Sequence, residues 1–574
     1  MKGKFILKLK FNEFEYKRPD INSIENDFNE LLKEFRNASD AEMQYSVMKK
    51  INNVRKDYES MSRIASIRFT VDTSDKFYEE EHDFFDEIGP VYSGLVKSFY
   101  AELISSPFRN ELEKLCGNHI FKIAEVSVKT FKPEIIEDLK KENQLVSRYV
   151  RLIASARIEF DGEDRNIAGM DPFMQSDNRE IRKKAYDAKW NFFTENENEI
   201  DLIYDELVKV RTKIARKLGY ENYIQLGYDR LKRTGYTSDE ISNFRKDIKE
   251  YLVPFTQELK ELQKKRIGLD KLYYYDEEYN FKNGNPKPKG SPDWIVEKAK
   301  IMYDKLSPET NEFFNFMIEH DVMDLYNRKN KSAGGYCSFI QKYQTPFIFA
   351  NMNGTDHDIK VLTHEAGHAF QAYESRGFEI PEYQHPTLEA CEIHSMSMEF
   401  ITWPWMDLFF REDTEKFLFS HLNKALSFIP YGVTVDEYQH FVYSNPEVSP
   451  DERKSAWREI EKKYMPHKNY EGNDFLERGG YWFAQGHIFR MPFYYIDYCL
   501  AQICALQFWI KCNHDRDIAW KDYLDLCKQG GSKSFLELIK VAKIESPFEK
   551  NIVKSIVSYS ENWIESVSKE YEPV

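Results

Sequence analysis

Thr363-His364-Glu365-Ala366-Gly367-His368-Ala369-Phe370 is the stretch that decides how the rest of the chain is read. Within it His364, Glu365 and His368 form the pattern HExxH. On a helix, residues four apart lie one turn apart on the same face, so both imidazoles can reach a single metal ion with Glu365 beside them. With 13 His in 574 residues, the pattern arises by chance in roughly one chain in forty of this composition, so the flanking sequence has to decide. Those flanks are helical. Ile359, Leu362, Ala366, Ala369, Phe370 and Tyr373 recur at helical spacing and leave His364, His368 and Ser375 on a different stripe. Asp358 is the expected N-cap.

A catalytic zinc commonly takes three protein ligands and keeps a fourth position for water. The next helical run, Leu388 to Phe400, offers Glu389, Glu392 and Glu399 beside an apolar stripe of Ala390, Ile393, Met396 and Phe400. Glu392, Ser395 and Glu399 share one face. Glu389, one turn before Glu392, competes with it for the third ligand position.

The pairing of HEAGH at 364–368 with Glu392-x-x-Ser395-x-x-x-Glu399 resembles the M3 peptidases, the thimet oligopeptidase and oligoendopeptidase F group, and most closely the short bacterial oligoendopeptidases and Pz-peptidases. Ala333-Gly334-Gly335-Tyr336-Cys337 and Thr345-Pro346-Phe347-Ile348-Phe349-Ala350-Asn351-Met352 look like the segments that precede HExxH in that family. Ile214 to Tyr223 looks like its upstream signature. The resemblance covers the second two thirds of the chain. It implies one zinc per chain held by His364, His368 and Glu392, with Glu399 orienting one of the imidazoles. It also implies a mainly α, neurolysin-like fold: two helical lobes around a deep channel that admits short unstructured peptides, with a small β-sheet beside the metal.

Read from the residues, Thr345 to Met352 is a short apolar strand, and Pro346, which has no N–H to give, argues for an edge position. An edge beside a metal can take an extended peptide as an added strand. Gly334, Gly335, Tyr336, Phe349 and Ala350 are therefore the expected substrate-binding residues, the glycines permitting close backbone approach.

Amide hydrolysis builds negative charge on the carbonyl oxygen, which needs donors opposite the metal. Gly486-His487-Ile488-Phe489-Arg490-Met491-Pro492-Phe493-Tyr494-Tyr495-Ile496-Asp497-Tyr498 supplies candidates: Pro492 suits the first turn of a helix, and Tyr495 and Tyr498 share a face. In a chain with 36 Tyr, such a cluster by itself reads more readily as core. By the family likeness Tyr498 is the main hydroxyl donor, with His487 and Tyr495 assisting. Gly479-Gly480-Tyr481 reads as a flexible loop over the substrate or as a simple turn.

Composition sets the class. Hydrophobic content of 41% with 31% charged residues is that of a folded globular protein, and a net charge of −15 opposes binding to nucleic acid and to anionic membranes. Met1 to Phe11 interrupts its apolar residues with lysines, unlike a secretory signal, and no apolar run reaches membrane-span length. Seven scattered Cys without a C-x-x-C pair indicate reduced thiols and, with the missing signal, a cytoplasmic protein.

Along the chain, Ile21 to Leu139 is helical, Ile153 to Phe160 with Asp161-Gly162 reads as a strand and turn, and a boundary is placed near 165. Residues 1–165 are expected to form part of one channel wall and 166–574 the catalytic region. Lys282 to Ser291 is a loop, after which Ser291-Pro292-Asp293 starts a helix.

The reading is a zinc metalloendopeptidase acting on short peptides, with Glu365 as general base. Two rivals stand beside it. A carboxypeptidase or dipeptidyl carboxypeptidase would need a cationic anchor, for which Arg478 and Arg490 are the neighbours. A noncatalytic zinc-dependent peptide-binding protein would leave Glu365 without a task.

Overall fold

The computed structural model describes residues 9–568, and it is mainly helical with two small sheets. Three long helices, Ile21–Asn37, Ala41–Val71 and Lys76–Ile104, open the chain. Each begins behind an aspartate whose carboxylate accepts a first-turn N–H: Asp20 from Asn22, Asp40 from Met43 and Asp75 from Phe77. Such a cap contributes about 1 kcal/mol. The expected loop and helix start near 291 are present, with Pro292 in the first turn and Ser291 capping Trp294 N.

The short hairpin lies where Asp161-Gly162 placed it. β1 (Ile158–Phe160) and β2 (Glu163–Arg165) pair antiparallel, and both turn residues have positive φ, 54° and 77°. That backbone matches the twist of the flanking strands. Ile153 and Ala154 belong to the preceding helix, Ile136–Ala154, so the strand starts later than its apolar run suggests.

The second sheet corrects one expectation. Its strands are β3 (Met323–Tyr326), β4 (Tyr336–Ile340) and β5 (Thr345–Met352), in the order β3-β5-β4. β5 is therefore central, not an edge. Pro346 is tolerated because pairing with the parallel strand β3 begins only at Ile348, so the proline lies beyond that ladder. The two edges are β3 and β4.

β5 leads into the motif helix, His357–Ser375. Its N-cap is Asp356, not Asp358; the Asp358 carboxylate instead accepts Asn353 N at 2.9 Å and Gly354 N at 2.8 Å, fastening the turn after the strand. Ile359, Leu362, Ala366, Ala369, Phe370 and Tyr373 are buried as the periodicity requires. Ser375 is buried too, donating to Gln384 O at 2.6 Å.

The following helix, Leu388–Ile401, is buried on nearly every side, polar residues included. Its approach to the motif helix depends on Gly367: a Cβ there would lie 2.6 Å from His394 O and 2.7 Å from Ser395 Cα. Any larger residue would hold the two backbones apart. A third helix, Tyr495–His514, and the long helix Thr414–Ser444 complete the surroundings, with Gly432 of the latter set directly against Cys499 of the former.

The N-terminal helices are joined to this assembly by polar contacts. Thr70 and Tyr336 share a hydrogen bond of 2.6 Å, Tyr149 donates to Phe483 O at 2.9 Å, and Arg55 and Tyr100 both meet the Glu382 carboxylate.

Candidate active site

The motif helix presents His364 and His368 on one face, 17% and 18% exposed, while Glu392 comes from the next helix and is 2% exposed. Glu392 Oε2 lies 3.2 Å from His364 Nε2 and 3.3 Å from His368 Nε2. Among the described residues, these three form the one group whose ligand atoms converge on a metal-sized space, all within 4.8 Å of one another. Glu389 is equally buried but lies outside the group, in the field of Arg233.

Electrostatics fit a cation at that point. Burial by itself would lower the pKa of His364, yet hydrogen bonds to Glu392 and Glu399 push it up to about 10. Burial would raise Glu392, but the two imidazoles hold it well below the carboxylate range. Two carboxylates thus stabilise positive charge between the imidazoles, and the donor set of two imidazole nitrogens and one carboxylate oxygen suits a divalent metal. Glu399 Oε1 is 2.7 Å from His364 Nδ1, which leaves Nε2 facing Glu392. Ser395 Oγ donates to Glu392 Oε2 at 2.9 Å, and the Tyr494 hydroxyl donates to Oε1.

Glu365 is 5% exposed, and its Oε2 has no hydrogen-bond partner among the described residues. Burial raises its pKa, against the pull of His364 and His368. A buried carboxylate oxygen left free beside a ligand pair is poorly explained by folding alone, since desolvation without a partner opposes stability. Gly335 closes over it. A Cβ at that residue would stand 3.3 Å from Glu365 Oε1 and 3.2 Å from Val361 Cγ1, so the sequence Gly334-Gly335 brings the start of β4 against the carboxylate.

On the opposite side, the Tyr498 hydroxyl and His487 Nε2 are 3.3 Å apart, and Gln485 Nε2 reaches His487 Nδ1 at 2.7 Å. Burial, with Arg490 nearby, lowers the pKa of His487 to about 4, so the ring is neutral near pH 7. The Tyr495 ring packs against His487 and Phe428 at 5.0 and 5.6 Å. Pro492 does not begin a helix. It lies in the turn between Gly486–Arg490 and Tyr495–His514, three residues before the second helix starts. Gly479-Gly480 is a packed turn: Gly479 has φ +99°, and a Cβ on it would stand 1.9 Å from Lys454 O.

Comparison with known families decides which enzymes share this arrangement. The model for the peptidase M3 N-terminal domain matches residues 11–131, and that for peptidase family M3 matches residues 172–558, HExxH included. The chain belongs to peptidase family M3. It is a metallopeptidase by that membership. Among solved structures, Pz peptidase A with inhibitor 2 is 56% identical, covering 97% of this chain and 99% of its own, with a TM-score of 0.97. A putative oligoendopeptidase F from Bacillus anthracis str. Ames is 53% identical over 98% of this chain and 99% of its own, TM-score 0.92. The oligoendopeptidase F homolog of Borreliella burgdorferi is 22% identical over 98% of this chain and 97% of its own length. The match to oligopeptidase PepF of Bacillus subtilis, also 22% identical, takes in 67% of this chain and 57% of that relative.

Within this M3 peptidase, some expected residues lie apart from the cavity. Phe349 and Ala350 are fully buried in β5: Phe349 stacks on Tyr336 at 4.7 Å and carries Lys331 over its other side, while Ala350 O accepts from Lys331. They shape the strand from behind and cannot touch a substrate with their side chains. Gly334, Gly335 and the half-exposed Tyr336 stand at its open end. Arg478 is occupied by Glu197 at 2.8 Å and Asp474 at 2.9 Å, whereas Arg490 is exposed and without an ionic partner among the described residues. Sequence reasoning passed over Tyr494 and Gly367. Tyr494 and Tyr498 are four residues apart, which places them together on one face, a signal the spacing of Tyr495 and Tyr498 had obscured.

Proposed function

We propose that the protein is a zinc-dependent oligoendopeptidase hydrolysing internal bonds of short unstructured peptides. The observation that carries this reading is the buried, unpartnered Glu365 carboxylate oxygen beside the convergent set His364, His368 and Glu392. A purely structural site would close with a fourth ligand and have no use for that free base. Zinc held by those three residues would supply the Lewis acidity that polarises the attacking water and the scissile carbonyl.

Glu365 takes the proton of the attacking water and delivers it to the leaving amine nitrogen. Its raised pKa favours the first transfer, by making the carboxylate a better base toward the attacking water. The Tyr498 hydroxyl and the neutral His487 ring face the carbonyl oxygen as it gains charge, and Tyr495 supports the ring from the side. Glu399 holds His364 by Nδ1. An extended peptide lies along β4, the edge strand whose start meets Glu365, its backbone brought there by Gly334 and Gly335, with Tyr336 alongside.

The names of the oligoendopeptidase F relatives support internal cleavage over the exopeptidase alternative. A cytoplasmic location agrees with seven free cysteines and with the absence, among the described residues, of a helix long and apolar enough to cross a membrane. The division near residue 165, between an N-terminal wall and a catalytic region, belongs to the same proposal. Glu365→Gln should keep zinc and lose hydrolysis by several orders of magnitude; near-normal turnover would remove Glu365 from the mechanism. Peptides with both ends blocked should be cut by the wild type, and Arg490 would become a terminal-carboxylate anchor if only free C-termini were accepted.

A further inference from the structure

We infer that His421 and Trp403 are positioning residues for the metal ligand His364, acting through Glu399. The inference deepens the zinc reading and rests on it. Four side chains stand in a row with a single polarity. Trp403 Nε1, which can only donate, is 2.9 Å from His421 Nδ1. Nδ1 is therefore the bare nitrogen, and the ring proton is on Nε2, 2.7 Å from Glu399 Oε2. The other oxygen of that carboxylate, Oε1, is 2.7 Å from His364 Nδ1. An ionised carboxylate only accepts, so His364 carries a proton on Nδ1, which leaves Nε2, the nitrogen facing Glu392, as the one that would bind the metal.

Geometry alone fixes the His421 tautomer. A doubly protonated His421 would set two N–H groups against each other across the Trp403 contact, and the other neutral tautomer would do the same. Trp403, His421 and Glu399 are 8%, 3% and 5% exposed, so water has little access to replace a missing partner. An ordinary packing role explains less. His421 stacks on Phe417 at 5.7 Å and packs against a tilted Phe400 at 4.8 Å, where an apolar ring would fit equally well but would strand Glu399 Oε2 without a donor. Trp403 is in turn held by Trp509 and Trp563, at 5.8 and 5.6 Å. The C-terminal helix Ile552–Ser568 thus backs a chain of contacts that ends at the metal ligand.

The test is zinc affinity of the full-length metal-free protein, read by competition with a chromophoric chelator, together with the visible spectrum of the cobalt-substituted form. His421→Phe and His421→Asn should weaken zinc about 10–100-fold, because neither presents an N–H where Nε2 stands. His421→Gln, long enough to place its amide N–H there, should recover most of that loss. Trp403→Phe keeps the imidazole and removes only the lock; it should weaken zinc by about tenfold or less and alter the cobalt spectrum. Wild-type affinity and spectrum in both His421→Phe and Trp403→Phe would overturn the inference. So would equal losses in all three His421 variants, Gln included, which would assign the ring to packing. If His421→Phe does not fold, Trp403→Phe and the Gln and Asn pair decide. A folded wild type that takes up no zinc would overturn the zinc reading and this inference together.

Discussion

Replacing Gly367 by Ala should cost the protein its metal before it costs the fold. A Cβ at 367 would lie 2.6 Å from His394 O and 2.7 Å from Ser395 Cα, where ordinary contact begins at 3.4 Å. Both neighbours are backbone atoms, so no side chain can swing aside. Relief requires the helices His357–Ser375 and Leu388–Ile401 to part by about 0.8 Å, the difference between the closest approach and ordinary contact. His364 and His368 are on one helix and Glu392 on the other. Metal–ligand distances tolerate only about 0.2 Å, so the displacement is several times what the site can absorb. Overpacking of this kind destabilises by about 1–3 kcal/mol, equivalent to a fall of about 1–2 °C in Tm for a chain of this size. Zinc affinity should fall at least as far as it does when a residue behind a ligand is lost, about 10–100-fold. Chelator competition and thermal melting with and without zinc measure both. Gly377→Ala provides the control, because a Cβ there meets nothing within 4 Å. Wild-type zinc affinity and metal-free Tm in Gly367→Ala would refute the argument.

Other outcomes follow from the same geometry. Glu399→Gln, which keeps the shape but removes the charge shared by His364 and His421, should weaken zinc about 10–100-fold while leaving the helix ends in place; unchanged affinity would make Glu399 a bystander. Tyr498→Phe should lower kcat about 10²–10³-fold with a small change in KM, and an unchanged kcat would return Tyr498 to the core. Burial lowers the pKa of His487 to about 4, so its ring is already neutral above about pH 5 and donates without titrating. His487→Gln should reduce kcat/KM while preserving the shape of the pH profile. Loss of a limb near pH 6–7 in that variant would show that His487 changes charge during turnover.

The two metal helices illustrate why some features are legible in a linear sequence. HExxH puts two imidazoles on one face because helical spacing alone determines it, and the apolar residues from Ile359 to Tyr373 were buried as their period required. Asp161-Gly162 announced its turn through the positive φ that few other pairs accept. Pro346 misled, because the missing N–H matters only where a neighbouring strand would need it, and β3 begins its pairing two residues later. Phe349 and Ala350 misled for a related reason: an apolar strand near a site does not say which face is covered.

The one-dimensional pattern determined the helical class and the pairing of two imidazoles on one helical face, since both follow from local spacing, and its motifs carried the likeness to the metallopeptidase family. Choosing Glu392 over Glu389, assigning Tyr494 to the Glu392 carboxylate and lining up Trp403, His421 and Glu399 behind His364 required the tertiary structure. Those contacts join residues 18 to 102 positions apart. Hydrogen bonds across such separations depend on how closely whole helices approach, and that approach is set by a missing side chain at Gly367, whose effect appears only once the second backbone is beside it.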